Sequence, residues 1–268
     1  MEHPLVFLAA TLLIGLVAQL VDGSLGMGFG VFSMSFLVMA GAYPALASSV
    51  VHSAKVVTTL FSGGAHFWLG NVKKEWLLPL VVPGVFGGVA GALAVTALPG
   101  QAMRPWVAGI LLALGLLIFF RYLRPRRQAG VLPPNGDHVG HPLRTRGRLG
   151  LVAVGGVAAF VDAIGGGGWG PIATPGLVLG HNSDPVKAIG TVNLAEFFVA
   201  VAITVTLLLR IGWTSVPWGP TIGLMIGGAV AAPGAAYLCR RLPGRLLGMA
   251  VGGLLIASNV GTVLSTWG

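Results

Sequence analysis

Residues 162–170 read Asp162-Ala-Ile-Gly-Gly-Gly-Gly-Trp-Gly170, and 140 positions earlier the chain reads Asp22-Gly-Ser-Leu-Gly-Met-Gly-Phe-Gly30. Both stretches interrupt long apolar runs. Several glycines in a row permit a non-helical backbone and expose peptide N–H groups to a ligand. A membrane tolerates such backbone only where protein or a wet cavity surrounds it. In the second copy Pro171 and Pro175 reinforce the break, since each removes a helix donor.

Outward from these motifs the chain is apolar almost end to end. Of 268 residues 55% are hydrophobic and 9% charged, with 43 glycines. A soluble domain carries roughly 25% charged residues, so this chain cannot cover itself with a polar surface, and lipid is its solvent. The apolar runs are Leu5 to Val21, a short Met27 to Ala40, Leu46 to Leu69, Trp76 to Leu98 and Trp106 to Tyr122. After a polar stretch come Leu149 to Ile164, a short Trp169 to Leu179, Val186 to Leu209, Val216 to Cys239 and Leu246 to Leu264. The long runs span a hydrocarbon core of about 30 Å at about 1.5 Å per residue, and the two short ones do not. The first run follows Glu2 and His3, with no basic residue before it and no cleavage site after it, and reads as a retained helix.

Lengths and letters both repeat. His52 and Lys55 fall opposite Asn193 and Glu196, and Leu98-Pro-Gly100 falls opposite Leu242-Pro-Gly244. Three landmarks in one order indicate an internal duplication. The expected architecture is all-α and integral to the membrane, with about ten segments in two five-segment repeats. Residues 1–122 form the first repeat, 123–148 a basic loop and 149–268 the second repeat. Each repeat carries one short, Gly-rich, broken or re-entrant helix. Thirteen of the sixteen Lys and Arg then share one side, which the positive-inside rule makes cytoplasmic; Arg104 and Arg210 fall outside, and Lys55 lies within a span. An odd number of segments per repeat turns the two copies upside down relative to each other, a plan common in secondary transporters. Both termini are then outside. Whether the first two segments of each half cross fully or meet midway as a hairpin leaves this parity unchanged; a short segment turning back alone would move Arg240, Arg241 and Arg245 outside and fits worse.

The charge of +9 does not indicate nucleic acid, because the basic residues cluster between apolar runs. Cys239 is the single cysteine, so no internal disulfide forms. No metal-ligand spacing and no set of nucleophile, base and orienting residue is readable, so neither a catalytic residue nor a cofactor is expected. Gly26-Met-Gly-Phe-Gly30 superficially matches a nucleotide-binding loop, but no strand precedes it and no acidic ribose partner follows.

Ionisable residues within spans are costly and are functional candidates by default. An anion site is expected near the midplane, built from peptide donors at Gly26, Gly28, Gly30, Gly166, Gly167, Gly168 and Gly170, with His52, Ser53, Lys55, Thr191 and Asn193. Asp22, Asp162, Glu196 and His66 are the candidates for proton coupling or gating. Two other readings stand beside this one: glycines that only pack helices closely, and a Lys55–Glu196 ion pair that pins the two halves. Gly84 with Gly88, Gly87 with Gly91, and Gly223 with Gly227 have plain packing spacings. Thr58 and Ser62 near the His52 face, like Ser53, line a pore, or bond across to a neighbouring helix or back to their own carbonyls.

The doubled motif, with His52-Ser-Ala-Lys55, Ser62-Gly-Gly-Ala-His66, Gly70-Asn-Val72 and Gly190-Thr-Val-Asn193 with Glu196, resembles the TauE/SafE sulfite exporter family, also called the toluene sulfonate uptake permease family. The resemblance covers nearly the whole chain. It implies transport of small sulfur-containing anions such as sulfite or organosulfonates, often outward, across a bacterial cytoplasmic membrane. The first copy departs from the triple-glycine core, with Met27 and Phe29 between its glycines. The expected partners are a small anion, membrane lipid and a coupled proton, with no nucleic acid. A divalent cation carrier using His52, His66, Asp22, Asp162 and Glu196, or a membrane accessory protein or enzyme without flux of its own, is the alternative.

Overall fold

The computed structural model describes residues 4–123, 145–180, 184–239, 249, 252–257, 259–260 and 264. Most of the basic loop, Arg240, Arg241, Arg245, the landmark Leu242-Pro-Gly244 and much of the tenth segment lie outside the described residues. Among those described the chain is all-α: α1 (Pro4–Leu25), α2 (Phe29–Met39), α3 (Pro44–Trp68), α4 (Leu77–Ala97), α5 (Gly100–Leu123), α6 (Thr145–Gly165), α7 (Trp169–Gly180), α8 (Pro185–Ile211) and α9 (Trp218–Leu238).

Among the described residues six helices are long and apolar enough to cross a membrane: α1, α4, α5, α6, α8 and α9. With 25 residues α3 is also long enough, yet it does not meet the apolar criterion. Ser48, Ser49, His52, Ser53, Lys55, Thr58, Thr59, Ser62 and His66 are all buried along it. The neighbouring helices solvate this polar face of α3, while Leu60, Phe61 and Trp68 on the same helix are exposed, so its polarity is tolerated inside the bundle.

Helix directions follow from close approaches. Gly70 O accepts from Lys187 Nζ, and Leu46 and Ile211 line one cavity at the other end, so α3 and α8 run antiparallel. Leu8 and Thr11 lie against Gly223, and Gly23 lies against Ala235, so α1 and α9 run parallel. Leu80 meets Gly155 and Phe160 meets Gly91, so α4 and α6 also run parallel. One end of the bundle thus carries Lys73, Lys74 and Lys187, and the other Arg104 and Arg210.

The short helices are the return arms of hairpins. A Cβ on Gly41, just beyond α2, would lie 3.7 Å from an Arg104 guanidinium nitrogen, which brings α2 back to the end from which α1 started. The same plan holds for α6 and α7, whose exit leads into the start of α8 at the Lys187 end. Gly26 and Gly166 make the same turn, with φ of 70° and 69°, a backbone that glycine adopts freely. Each donates its N–H to the carbonyl of the aspartate four residues earlier, Asp22 or Asp162, at 2.6 Å.

The glycines spaced as packing surfaces are that. A methyl on Gly87 would lie 2.1 Å from Gly156 O, and one on Gly227 2.0 Å from Leu12 O, so these helix pairs touch backbone to backbone. Helix bounds match the apolar runs to within a few residues, with one consequential exception. Asp22 lies inside α1 and Asp162 inside α6, each one turn before its helix ends.

Candidate functional site

The two hairpin tips meet. A methyl on Gly30 would lie 1.8 Å from Gly166 O, and one on Gly170 would lie 2.5 Å from Gly26 O, so the contact is reciprocal. Thr174 Oγ1 donates to Gly26 O at 2.8 Å across it. Trp169, fully buried, anchors the second tip by donating Nε1–H to Val192 O at 3.0 Å. In this arrangement the peptide donors of Gly26 and Gly166 are taken by their own hairpins, and the glycines serve close backbone contact. Gly28, Gly167 and Gly168 are equally buried against Val21, Val31 and Val161.

Beside the tips lies a buried ionic cluster. Lys55 Nζ on α3 donates to Asp162 Oδ1 and Oδ2 at 2.8 and 2.9 Å and pairs with Glu196 Oε1 on α8 at 2.8 Å. His52, one turn earlier on the same face, places Nε2 3.1 Å from Asp162 Oδ2. Its Nδ1 lies 2.9 Å from Ser48 O, and Ser48 Oγ donates to Ala163 O at 2.7 Å, fastening α3 to α6. No member of the cluster is more than 3% exposed. Asp22 uses Oδ1 to accept the N–H of Phe29 at 3.2 Å, capping α2, and lies within electrostatic reach of Lys55 and Glu196.

The other expected site residues are spread more widely. Asn193 accepts from Ser62 Oγ at 2.8 Å and donates to Ile189 O, joining α3 to α8. His66 holds Gly23 O at 3.0 Å and Asn71 Nδ2 at 3.1 Å near the Lys-bearing end. Thr191 also lies toward that end, donating to Lys187 O and accepting from Lys73 N at 2.7 and 2.9 Å. Neither His66 nor Thr191 joins the ionic cluster. Among the described residues no three His, Cys, Asp or Glu converge as a metal site; of the five ligands named for a cation carrier, His52, Asp162 and Glu196 gather around the Lys55 ammonium with Asp22 nearby, and His66 stands apart.

Sequence reasoning missed Gln19. It is fully buried on α1, one turn before Asp22, and neither its Nε2 nor its Oε1 has a hydrogen-bond partner among the described residues. Ser33 Oγ on α2 and Ser53 Oγ on α3 share that condition. A glutamine inside an apolar run, three residues before a buried aspartate, was the available signal.

A twin glycine hairpin beside a buried Lys–Asp–Glu cluster is the arrangement on which the comparison with known proteins bears. The model of the family described as sulfite exporter TauE/SafE matches residues 11–262. The chain belongs to that family. A TauE/SafE-type relative of known sequence, the probable membrane transporter protein YtnM of Bacillus subtilis (strain 168), is 41% identical over 257 residues, covering 95% of this chain and 82% of that protein. No solved structure matches the chain. The protein is therefore a multi-pass membrane transporter of the TauE/SafE family, and both family and relative are transporters, not enzymes.

Proposed function

We propose that the protein is a secondary transporter of small sulfur-containing oxyanions, sulfite or organosulfonates, moving them outward by alternating access at the Lys55 cluster. The observation that carries this reading is the reciprocal contact of the two hairpin tips beside that cluster. Membership of the sulfite exporter family supports the substrate class.

The two halves act as inverted repeats. Equivalent helices run in opposite directions, α1 against α6, α3 against α8 and α4 against α9, and the tip contacts are reciprocal. Such a pair rocks about its own contact, opening first toward one side and then toward the other. The end with Lys73, Lys74 and Lys187 faces the cytoplasm of a bacterial inner membrane together with the basic loop, and both termini lie outside.

Lys55 is the cationic group that receives the anion. An oxyanion reaching Nζ displaces a carboxylate oxygen of Asp162 or Glu196, and peptide N–H groups of the glycine turns become additional donors as the tips part. Hydrogen bonds to charged groups contribute about 1.5 to 3 kcal/mol each, so two or three give micromolar to millimolar binding. Three carboxylates for one ammonium leave excess negative charge in the cluster, and a proton is the smallest ion that neutralises it. Proton uptake at Glu196 or Asp22 on anion entry couples flux to the proton gradient. The unpaired polar atoms of Gln19, Ser33 and Ser53 add hydrogen-bonding capacity around the first hairpin.

Purified protein in liposomes loaded with labelled sulfite or a sulfonate tests this. Efflux that rises with one polarity of the proton gradient is expected. Failure to move either anion under either gradient supports an accessory protein or enzyme instead. Thermal stabilisation by divalent cations but not by sulfite supports a cation carrier.

A further inference from the structure

The end of the bundle opposite Lys73, Lys74 and Lys187 holds a cavity of about 420 Å³. It lies between the start of α3, the end of α4, the start of α5 and the end of α8, and Tyr43, Leu46, Thr96, Gln101, Arg210 and Ile211 line it. Its chemistry is one-sided. Arg210 is exposed in the last turn of α8, and its Nε donates to Thr96 Oγ1 at 3.4 Å. The ion pairs found among the described residues all involve Asp162 or Glu196 in the bundle centre, so no described carboxylate answers Arg210. A second guanidinium, Arg104, stands over the Tyr43 ring at 5.8 Å beside the same cavity.

One permanently charged fork with no counter-charge among the described residues, a hydroxyl, a carboxamide and the apolar side chains of Leu46 and Ile211 make a receptor for negative oxygen, with Arg104 next to it on the Tyr43 ring. Guanidinium groups suit it because they stay charged and present paired donors to phosphate, sulfonate or carboxylate. Large exposed aromatics, Tyr43, Trp106 and Trp213, surround this end, as expected of side chains at the boundary between lipid and water. Arg210 lies fourteen residues beyond Glu196, about 21 Å along α8, so this cavity is separate from the ionic cluster.

We propose that this cavity is an oxyanion-binding site with Arg210 as its principal contact, filled by an anionic lipid headgroup or by a free oxyanion at the membrane surface. It does not rest on the transport cycle placed at Lys55. A headgroup there ties α3, α4, α5 and α8 together at one membrane face, and a free anion there sits at the mouth of the protein.

The test uses the full chain purified in a zwitterionic detergent, with melting temperature read at constant ionic strength. The probes are sodium phosphate, sodium sulfite, short-chain phosphatidylglycerol and short-chain phosphatidylcholine, the last with a sodium chloride control. The variants are Arg210→Gln and Arg210→Lys, both tolerable because the side chain is exposed. Wild type is expected to gain stability with phosphatidylglycerol or a free oxyanion beyond the controls. The apparent affinity is expected to fall about tenfold to a hundredfold in Arg210→Gln and to recover partly in Arg210→Lys. A response to phosphatidylglycerol alone assigns the site to lipid, and a response to phosphate or sulfite assigns it to free anions. No stabilisation beyond the controls, or stabilisation of equal size in Arg210→Gln, overturns the proposal; the second result leaves anion binding at Lys55 intact.

Discussion

Lys55 on α3 and Glu196 on α8 occupy positions that the internal duplication makes equivalent, and they face each other with Nζ 2.8 Å from Oε1. One sequence position thus carries opposite charge in the two halves. The sequence offset matches a lysine with a glutamate, and in the structure these two side chains join α3 to α8.

Removing the ammonium leaves Asp162 with His52 alone and takes from Glu196 the cation it pairs with. Lys55→Met is expected to cost about 3 to 5 kcal/mol of stability. Adding Glu196→Gln to Lys55→Met is expected to return part of that loss, since one uncompensated charge goes with it. Denaturation of the single and double variants in mild detergent measures both.

The tip contact leaves no space for a methyl group. Gly30→Ala places its Cβ against the backbone oxygen of Gly166 and is expected to lose about 3 kcal/mol or more, with poor recovery of monodisperse protein. Gly64→Ala, in the same bundle with nothing within 4 Å of the new Cβ, is expected to keep or raise the melting temperature. Equal behaviour of the two variants in size-exclusion chromatography and thermal melts would contradict the described contact.

His66 ties the end of α3 to the first hairpin through Gly23 O and is fully buried. His66→Ala is expected to lower stability by about 1 to 3 kcal/mol, the cost of leaving a buried carbonyl without its donor. His66→Gln, which keeps a donor, is expected to lose less. Hydrogen exchange at the Leu25 end of α1 rises in His66→Ala if the tie works as described.

The proposed topology puts the two ends of the bundle in opposite compartments. With Cys239 replaced by Ser, a cysteine at exposed Gln101 is expected to react with a membrane-impermeant maleimide added outside intact cells, and one at exposed Glu75 only after lysis. The reverse pattern inverts the topology.

The fold was legible where sequence carries periodic or repeated information. The apolar runs located the helices, the offset between Asp22 and Asp162 located the two glycine breaks without deciding between crossing and hairpin, and the offset between Lys55 and Glu196 made their ion pair one of two readings. What sequence could not supply was direction in space. Nothing in the letters shows that Asp162, and not Asp22, takes the Lys55 ammonium, because that depends on how far each hairpin tip reaches past α3. The run Leu46 to Leu69 reads as one more apolar span, whereas the structure shows a helix whose polar residues are buried among its neighbours. His66 and Thr191 were grouped with the cluster by residue type, yet helix rise places them nearer the Lys-bearing end. In the sequence Arg210 is only an outside charge, since it meets Thr96, 114 positions away, only after α4 and α8 lie side by side.

Sulfite efflux from liposomes, measured on Lys55→Met with Glu196→Gln beside wild type, decides whether the buried cluster is the path of the anion. Abolished efflux from protein that remains folded and monodisperse is expected; efflux at the wild-type rate would place transport elsewhere and reduce Lys55 to an internal tie between two halves.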